Sequence, residues 1–231
     1  MVLHEFESLF IHVPKTAGQS IEYFFLNLAE SDWEKSAPFL LRENDNEKLG
    51  PPRLAHLTAE EYYKHHYVSR KMFDAYFKFT FVRNPWARVV SFYKFGKYNL
   101  IFTFKTFVSL ILPRLLKNEY WFYKPQSEFI YSNGELMVDF LGRFESLQED
   151  FNKICEQLNI SDPTLPYVNA SRNEETWRQK YYLIKNNLSF AGKFGKDKVC
   201  SKDYHDYYDQ QEKEIVGELY QKDIEYFNYQ F

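Results

Sequence analysis

The apolar positions of the chain fall into short runs and helical repeats separated by Pro, Gly and polar punctuation. Leu9-Phe10-Ile11-His12-Val13 is an apolar run halted by Pro14, the pattern of a buried strand that ends at a turn. From Ser20 onward Ile21, Phe24, Phe25 and Leu28 recur at helical spacing, so a helix follows that turn. Tyr76 to Val82 is aromatic and β-branched and predicts a second strand. It stops at Arg83-Asn84, Pro85 stands where helices begin, and Trp86, Val89, Val90 and Tyr93 then repeat at helical spacing. Met137 to Phe144 predicts a third strand and Ser146 to Leu158 a helix behind it. Glu212 to Phe227 is an amphipathic helix with Ile215, Leu219 and Ile224 among charges.

Between these segments, Thr58-Ala59-Glu60-Glu61 has the spacing of a capping box, so a helix starts just after His56. Asp32 to Pro52 is polar, holds Pro38, Gly50, Pro51 and Pro52, and predicts a long surface excursion; Leu165 to Arg172 is loop-like. No repeat, low-complexity tract or linker divides the chain, so residues 1–231 are expected to form one domain.

Composition narrows the function classes. Of 231 residues, 45% are hydrophobic and 26% charged, which is a globular and not a disordered balance. A formal net charge of −3 argues against a general nucleic-acid binder, though a local basic pocket for a small anion remains open. The aromatic share is 20%, with 19 Tyr and 23 Phe spread along the whole chain, which favours rings used as core over rings lining a sugar site. Cys155 and Cys200 have no metal-like spacing and are expected to be reduced, buried thiols suited to a reducing compartment. The first residues lack a basic n-region, and no stretch approaches the ~20 apolar residues of a membrane helix. A cytoplasmic protein without a transmembrane segment is expected; oligomeric state is not legible.

Two strand-to-helix turns carry the chemistry. In an open parallel sheet, ligands bind where strands end and helices begin, and helix N-termini there favour anions. The first turn, Pro14-Lys15-Thr16-Ala17-Gly18-Gln19-Ser20, combines small residues, a cation and two hydroxyls, the ingredients of a phosphate cradle. It is not a Walker A loop, because Lys15 precedes Gly18 where that motif needs Gly-Lys-Ser/Thr. The second strand ends in Arg83-Asn84 where a Mg²⁺-binding Asp would stand, so a donor that needs no Mg²⁺ fits better than ATP. In the second turn, Arg83 at the strand end and Ser91 on the following helix are placed to converge on one phosphate, a role suited to the planar guanidinium fork.

With both turns in view, the chain resembles the sulfotransferase family 2 group, the Golgi-type carbohydrate sulfotransferases and their soluble bacterial relatives. The stretch His12-Val13-Pro14-Lys15-Thr16-Ala17-Gly18-Gln19-Ser20 is similar to that family's 5′-phosphosulfate loop, and Phe81 to Tyr93 to its 3′-phosphate motif. Weaker likenesses lie at His56-Leu57-Thr58-Ala59, Gln126-Ser127, Gly142-Arg143-Phe144-Glu145 and from Tyr204 to Phe231. The resemblance implies an α/β, P-loop NTPase-like three-layer fold with a central parallel sheet flanked by helices. It implies 3′-phosphoadenosine-5′-phosphosulfate (PAPS) as donor, no metal, and in-line transfer to an acceptor hydroxyl, expected on a carbohydrate or glycoconjugate. Lys15 would stabilise charge on the leaving phosphate oxygen. The backbone of residues 15–20, from Lys15 through Thr16, Ala17, Gly18 and Gln19 to Ser20, with the Thr16 and Ser20 hydroxyls, would hold the 5′-phosphate. Arg83 and Ser91 would hold the 3′-phosphate, with Arg172 as a further contact.

Of six histidines, His56 is the candidate base: it precedes the capped helix and matches a histidine of the family pattern. His12, among apolar neighbours, is expected to be structural; the adjacent His65 and His66 do not share a helix face and make no metal pair; Glu145 ranks below His56 as a base. Two alternatives remain open: a P-loop nucleotide or small-molecule kinase, against which the missing Walker order and Asp argue, and a non-catalytic module for phosphorylated or sulfated ligands, against which Lys15 together with His56 argues.

Overall fold

The structure is a computed structural model that describes residues 1–29, 56–118, 121–166, 177–197, 201 and 203–231, the side chains of 177–179 excepted. Along the chain run β1 (Val2–Leu3), β2 (Ser8–Ile11), α1 (Gly18–Leu28), α2 (Ala59–Lys64), α3 (Arg70–Ala75), β3 (Phe77–Val82), α4 (Pro85–Phe95), β4 (Phe140–Arg143), α5 (Leu147–Gln157), α6 (Trp177–Asn186), α7 (Gln210–Leu219) and α8 (Gln221–Phe227). They fall into two compact units, Met1–Arg83 with Gln126–Ala170, and Asn84–Pro125 with Ser171–Phe231.

The first unit is α/β, a mixed four-stranded sheet in the order β1-β2-β3-β4 with helices flanking it. Phe10 of β2 lies opposite Phe79 of β3 in parallel register, and Phe81 lies opposite Gly142 of β4, again in parallel. The expectation of a wholly parallel sheet needs correcting at one edge, where β1 runs antiparallel to β2 with Val2 opposite Leu9. A 3₁₀ turn over His4–Phe6 ends at Glu7 in the left-handed region and folds β1 straight back beside β2, so no crossover helix is needed there.

Phe10, Phe79 and Phe81 share one face of the sheet and pack with Ile21, Phe24 and Phe25 of α1 and Phe151, Ile154 and Cys155 of α5. The rings meet edge to face (Phe24–Phe151 at 4.8 Å) or stacked (Phe10–Phe79 at 5.3 Å), arrangements that the ring quadrupole favours. The opposite face, with Leu9, Ile11, Thr80 and Val82, is buried as well, which is why these strands read as continuous apolar runs. Most of the described phenylalanines are core, as expected, whereas most of the described tyrosines keep some solvent exposure. Thr58 caps α2 reciprocally with Glu61: the Glu61 N–H donates to Thr58 Oγ1 and the Thr58 N–H to Glu61 Oε2 at 2.7 Å.

The expected third strand is shorter in the sheet than the pattern suggests. Only Phe140–Arg143 joins it, whereas Glu135–Leu136 pairs with Tyr131–Ser132 around Asn133-Gly134, both with positive φ. That is the hairpin geometry an Asn-Gly pair specifies.

In the second unit α4 begins with Pro85 at its first turn, and Asn84 caps it by accepting from the Trp86 N–H at 3.0 Å. Trp86, Val89, Phe92 and Tyr93 of α4 pack with Phe104, Phe107, Val216 and Tyr220 in that unit's core. The expected helix over Glu212–Phe227 is two, α7 and α8, parted at Tyr220, whose hydroxyl donates to the Tyr123 carbonyl at 2.8 Å. Among the described residues no helix is long and apolar enough to cross a membrane. The expected Asp32–Pro52 excursion lies outside the described residues, as do Arg172 and Cys200.

Candidate active site

β2 ends at Ile11, and the chain turns through Pro14–Ala17 into α1. Lys15 and Ala17 both adopt left-handed backbone conformations, φ 69° and 70°, which cost a side-chain-bearing residue roughly 1–2 kcal/mol each. Two such residues in three positions curl the backbone into the concave shape that gathers N–H groups toward an anion. Ala17 is the N-cap of α1 and offers no side-chain acceptor, and no acidic residue lies in the first turn. The N-terminal N–H groups and the helix dipole therefore favour an anion at this end. Thr16 is fully buried and its hydroxyl donates to the Val13 carbonyl at 2.9 Å, bracing the turn from inside. Ser20 is nearly buried and its N–H donates to the Ala17 carbonyl at 2.9 Å; Gln19 is exposed.

β3 delivers Arg83 to the same corner of the first unit. Its Nη1 approaches the Lys15 carbonyl at 3.5 Å, the outer limit of a hydrogen bond. Burial, together with the Arg83 charge, lowers the Lys15 ammonium from 10.5 to about 8. Like charges repel at this range, and an anion set between them relieves both. Two devices hold Arg83 in place. Gln126, fully buried, clamps its backbone from both sides: the Arg83 N–H donates to Gln126 Oε1 at 2.8 Å, and Gln126 Nε2 donates to the Arg83 carbonyl at 2.8 Å. The guanidinium carbon sits 4.0 Å over the Phe144 ring.

His56 is buried beside the end of β2. Its Nδ1 lies 3.0 Å from the His12 carbonyl, and a carbonyl only accepts, so Nδ1 carries a proton. His12 touches three parts of the corner. Its Nδ1 bonds Glu22 Oε1 at 2.7 Å, its ring lies 4.3 Å from the His56 ring, and its Nε2 packs on Gly18 so closely that a Cβ there would stand 2.0 Å from it. Gly18 is thus required by the close approach of an imidazole.

The first unit therefore brings together Lys15, Thr16, Ala17, Gly18, Ser20, His56 and Arg83. Ser91 lies on α4 in the second unit and is partly exposed. Three residues carry more than the sequence suggested. Glu22 is hidden in an apolar helical stretch, although its place one turn after Gly18 puts it on the same helix face. His12 read as a strand residue because its neighbours are apolar. Gln126 showed only as a weak likeness, and its clamp on Arg83 depends on a contact 43 positions away.

A family model described as "Sulfotransferase family" matches residues 1–230, spanning both units. The chain is also similar to an uncharacterized protein of Archaeoglobus fulgidus, 32% identical over 114 residues, which is 46% of this chain and 88% of that protein. No solved structure matches it.

Proposed function

The chain belongs to the sulfotransferase family, and we propose from that premise that it transfers a sulfuryl group from PAPS to an acceptor hydroxyl, on a carbohydrate or glycoconjugate. The fold is read as P-loop-like, and residues 1–231 as one sulfotransferase domain. The observation that supports the reading most is the pair of cations at one sheet corner, with burial and then the Arg83 charge holding Lys15 down to about 8. A donor with phosphate at both ends of its ribose answers that arrangement.

In this reading the backbone of residues 15–20 cradles the 5′-phosphosulfate, with Thr16 bracing the loop and the Ser20 hydroxyl turned to the ligand. Arg83 and Ser91 hold the 3′-phosphate, and Arg172 adds a contact. An acceptor oxygen attacks sulfur, the S–O bond to the 5′-phosphate breaks, and the electron pair passes to the phosphate oxygen, where Lys15 meets the developing charge. His56 Nε2 takes the acceptor proton. Positioning and fixed electrostatics supply the acceleration, and no step needs a metal.

The test is calorimetric and kinetic. Adenosine 3′,5′-bisphosphate is expected to bind in preference to ATP without magnesium. Labelled sulfate is expected to pass from PAPS to members of a panel of methyl glycosides, unaffected by chelators and abolished in Lys15→Ala. Preference for ATP, or full transfer by Lys15→Ala, would overturn the reading.

A further inference from the structure

Glu22 is the one carboxylate at this corner whose burial is complete, and its charge acts on the buried Met1 ammonium as well as on His12. It sits on α1 with no solvent exposure; Oε1 bonds the His12 imidazole, and Oε2 makes no hydrogen bond among the described residues. Burying a carboxylate with half of its acceptor capacity unused is costly, so its place asks for a reason beyond packing. His12 supplies one. The bond to Glu22 fixes which His12 nitrogen carries the proton and which way the ring faces, and that ring lies tilted by 55° against the ring of His56 at 4.3 Å. The same residue's carbonyl accepts the His56 Nδ1–H at 3.0 Å, and its Nε2 rests on Gly18 of the loop.

We propose that Glu22 is a positioning residue that acts through His12 to hold His56 in one orientation and one tautomer, with Nε2 as the proton acceptor. The chain of contacts runs from Glu22 Oε1 to His12 Nδ1–H, from the His12 ring to the His56 ring, and from His56 Nδ1–H back to the His12 carbonyl. Carboxylate, imidazole and base are locked to the loop by the contact of His12 with Gly18, so cradle and base form one rigid corner. The inference rests on His56 being the base, as read above.

The decisive measurement is ¹⁵N NMR of the imidazoles in the full chain saturated with adenosine 3′,5′-bisphosphate, for the wild type, Glu22→Gln and Glu22→Leu. Wild type is expected to show Nδ1–H on both His12 and His56. Glu22→Gln, which keeps the shape and an oxygen for the His12 N–H, is expected to retain the His56 tautomer. Glu22→Leu is expected to mix it, while bisphosphate affinity stays within about twofold and transfer slows at least about tenfold, part of the 10²–10⁴-fold that a placed base supplies. A single Nδ1–H tautomer on His56 in Glu22→Leu overturns the proposal, and so does Nε2–H on either ring of the wild type. If Glu22→Leu does not fold, the wild-type and Glu22→Gln spectra decide on the same terms. His56→Ala separates the two readings. Undiminished transfer in that variant removes the base assignment itself, whereas lost transfer with a His56 tautomer indifferent to Glu22 removes only the positioning role.

Discussion

Lys15 makes the cation corner measurable by its protons. In the free protein its ammonium titrates at about 8, lowered from 10.5 first by burial and then by the Arg83 charge. An anion bound between the two cations counters the Arg83 charge and offsets the burial, so the pKa climbs back toward its ordinary range on binding. At pH 7 about nine-tenths of the free protein already carries the charge, and binding draws in only ~0.1 proton. At pH 9 about one-tenth carries it, and binding must draw in close to one proton. Affinity for adenosine 3′,5′-bisphosphate is therefore expected to fall about tenfold per pH unit above 8, until the pH reaches the pKa of the complex.

Calorimetric titrations at pH 7 and pH 9, each in two buffers of different ionisation enthalpy and neither of them phosphate, give the proton count directly. Lys15→Arg, whose guanidinium stays charged throughout, should bind with no uptake at either pH. Stability follows with a definite sign. The folded pKa lies below the unfolded one, so the charged form is disfavoured in the fold, and stability should rise as pH climbs from about 8 toward 10.5. At pH 7 the charge costs an upper limit of about 3 kcal/mol, lessened by the solvent that reaches the partly exposed side chain. Lys15→Met should accordingly unfold at a higher denaturant concentration while losing the bisphosphate. No uptake at pH 9, or uptake undiminished in Lys15→Arg, would refute the argument.

Other expectations concern the supports of the corner. Gly18→Ala drives a Cβ into the His12 ring, so bisphosphate affinity should drop at least about tenfold with a stability loss of roughly 1–3 kcal/mol; an unchanged isotherm would show that the ring yields freely. Gln126→Leu strips two partners from the Arg83 backbone and should cost about 2–6 kcal/mol in chemical denaturation, with weaker bisphosphate binding; a loss under 1 kcal/mol would mean water replaces the clamp. Burial pushes the Cys155 thiol up to about 11, so at pH 8 peptide mapping should find it unlabelled by a thiol reagent in the native protein and labelled at once in denaturant. Native labelling at the rate of a free thiol would contradict its place in the core.

What the chain discloses before folding is whatever obeys a local rule. Strands β2 and β3, the capping box at Thr58, Pro85 at the start of α4 and the helix ending at Gln157 all follow from periodicity and end signals, because each is decided within a few residues. The antiparallel edge β1 was too short to carry a period. The Asn133-Gly134 hairpin had its signal in plain view, but the apolar run beyond it read as one strand. At the candidate site the two cation-bearing turns were legible as types and spacing, while the geometry that couples them was not. Gln126 reaches Arg83 across 43 positions and His56 reaches His12 across 44, separations to which no window of periodicity is sensitive.

Several features that defied local expectation meet at one corner of the first unit. Two non-glycine residues there are left-handed, an ammonium is depressed by burial and then by a neighbouring guanidinium, a carboxylate is fully buried, and a histidine in an apolar run touches the loop. Each costs the fold roughly 1–3 kcal/mol or more. Left-handed residues and buried carboxylates also occur elsewhere, at His66 and Lys97 and at Glu212 and Asp223, but a site that must hold an anion and move a proton needs strain, like charge and a buried acid–base pair in one place. Their coincidence ties the cradle to the base more firmly than either turn does alone, and it makes the Lys15 proton count and the His56 tautomer tests of a single object.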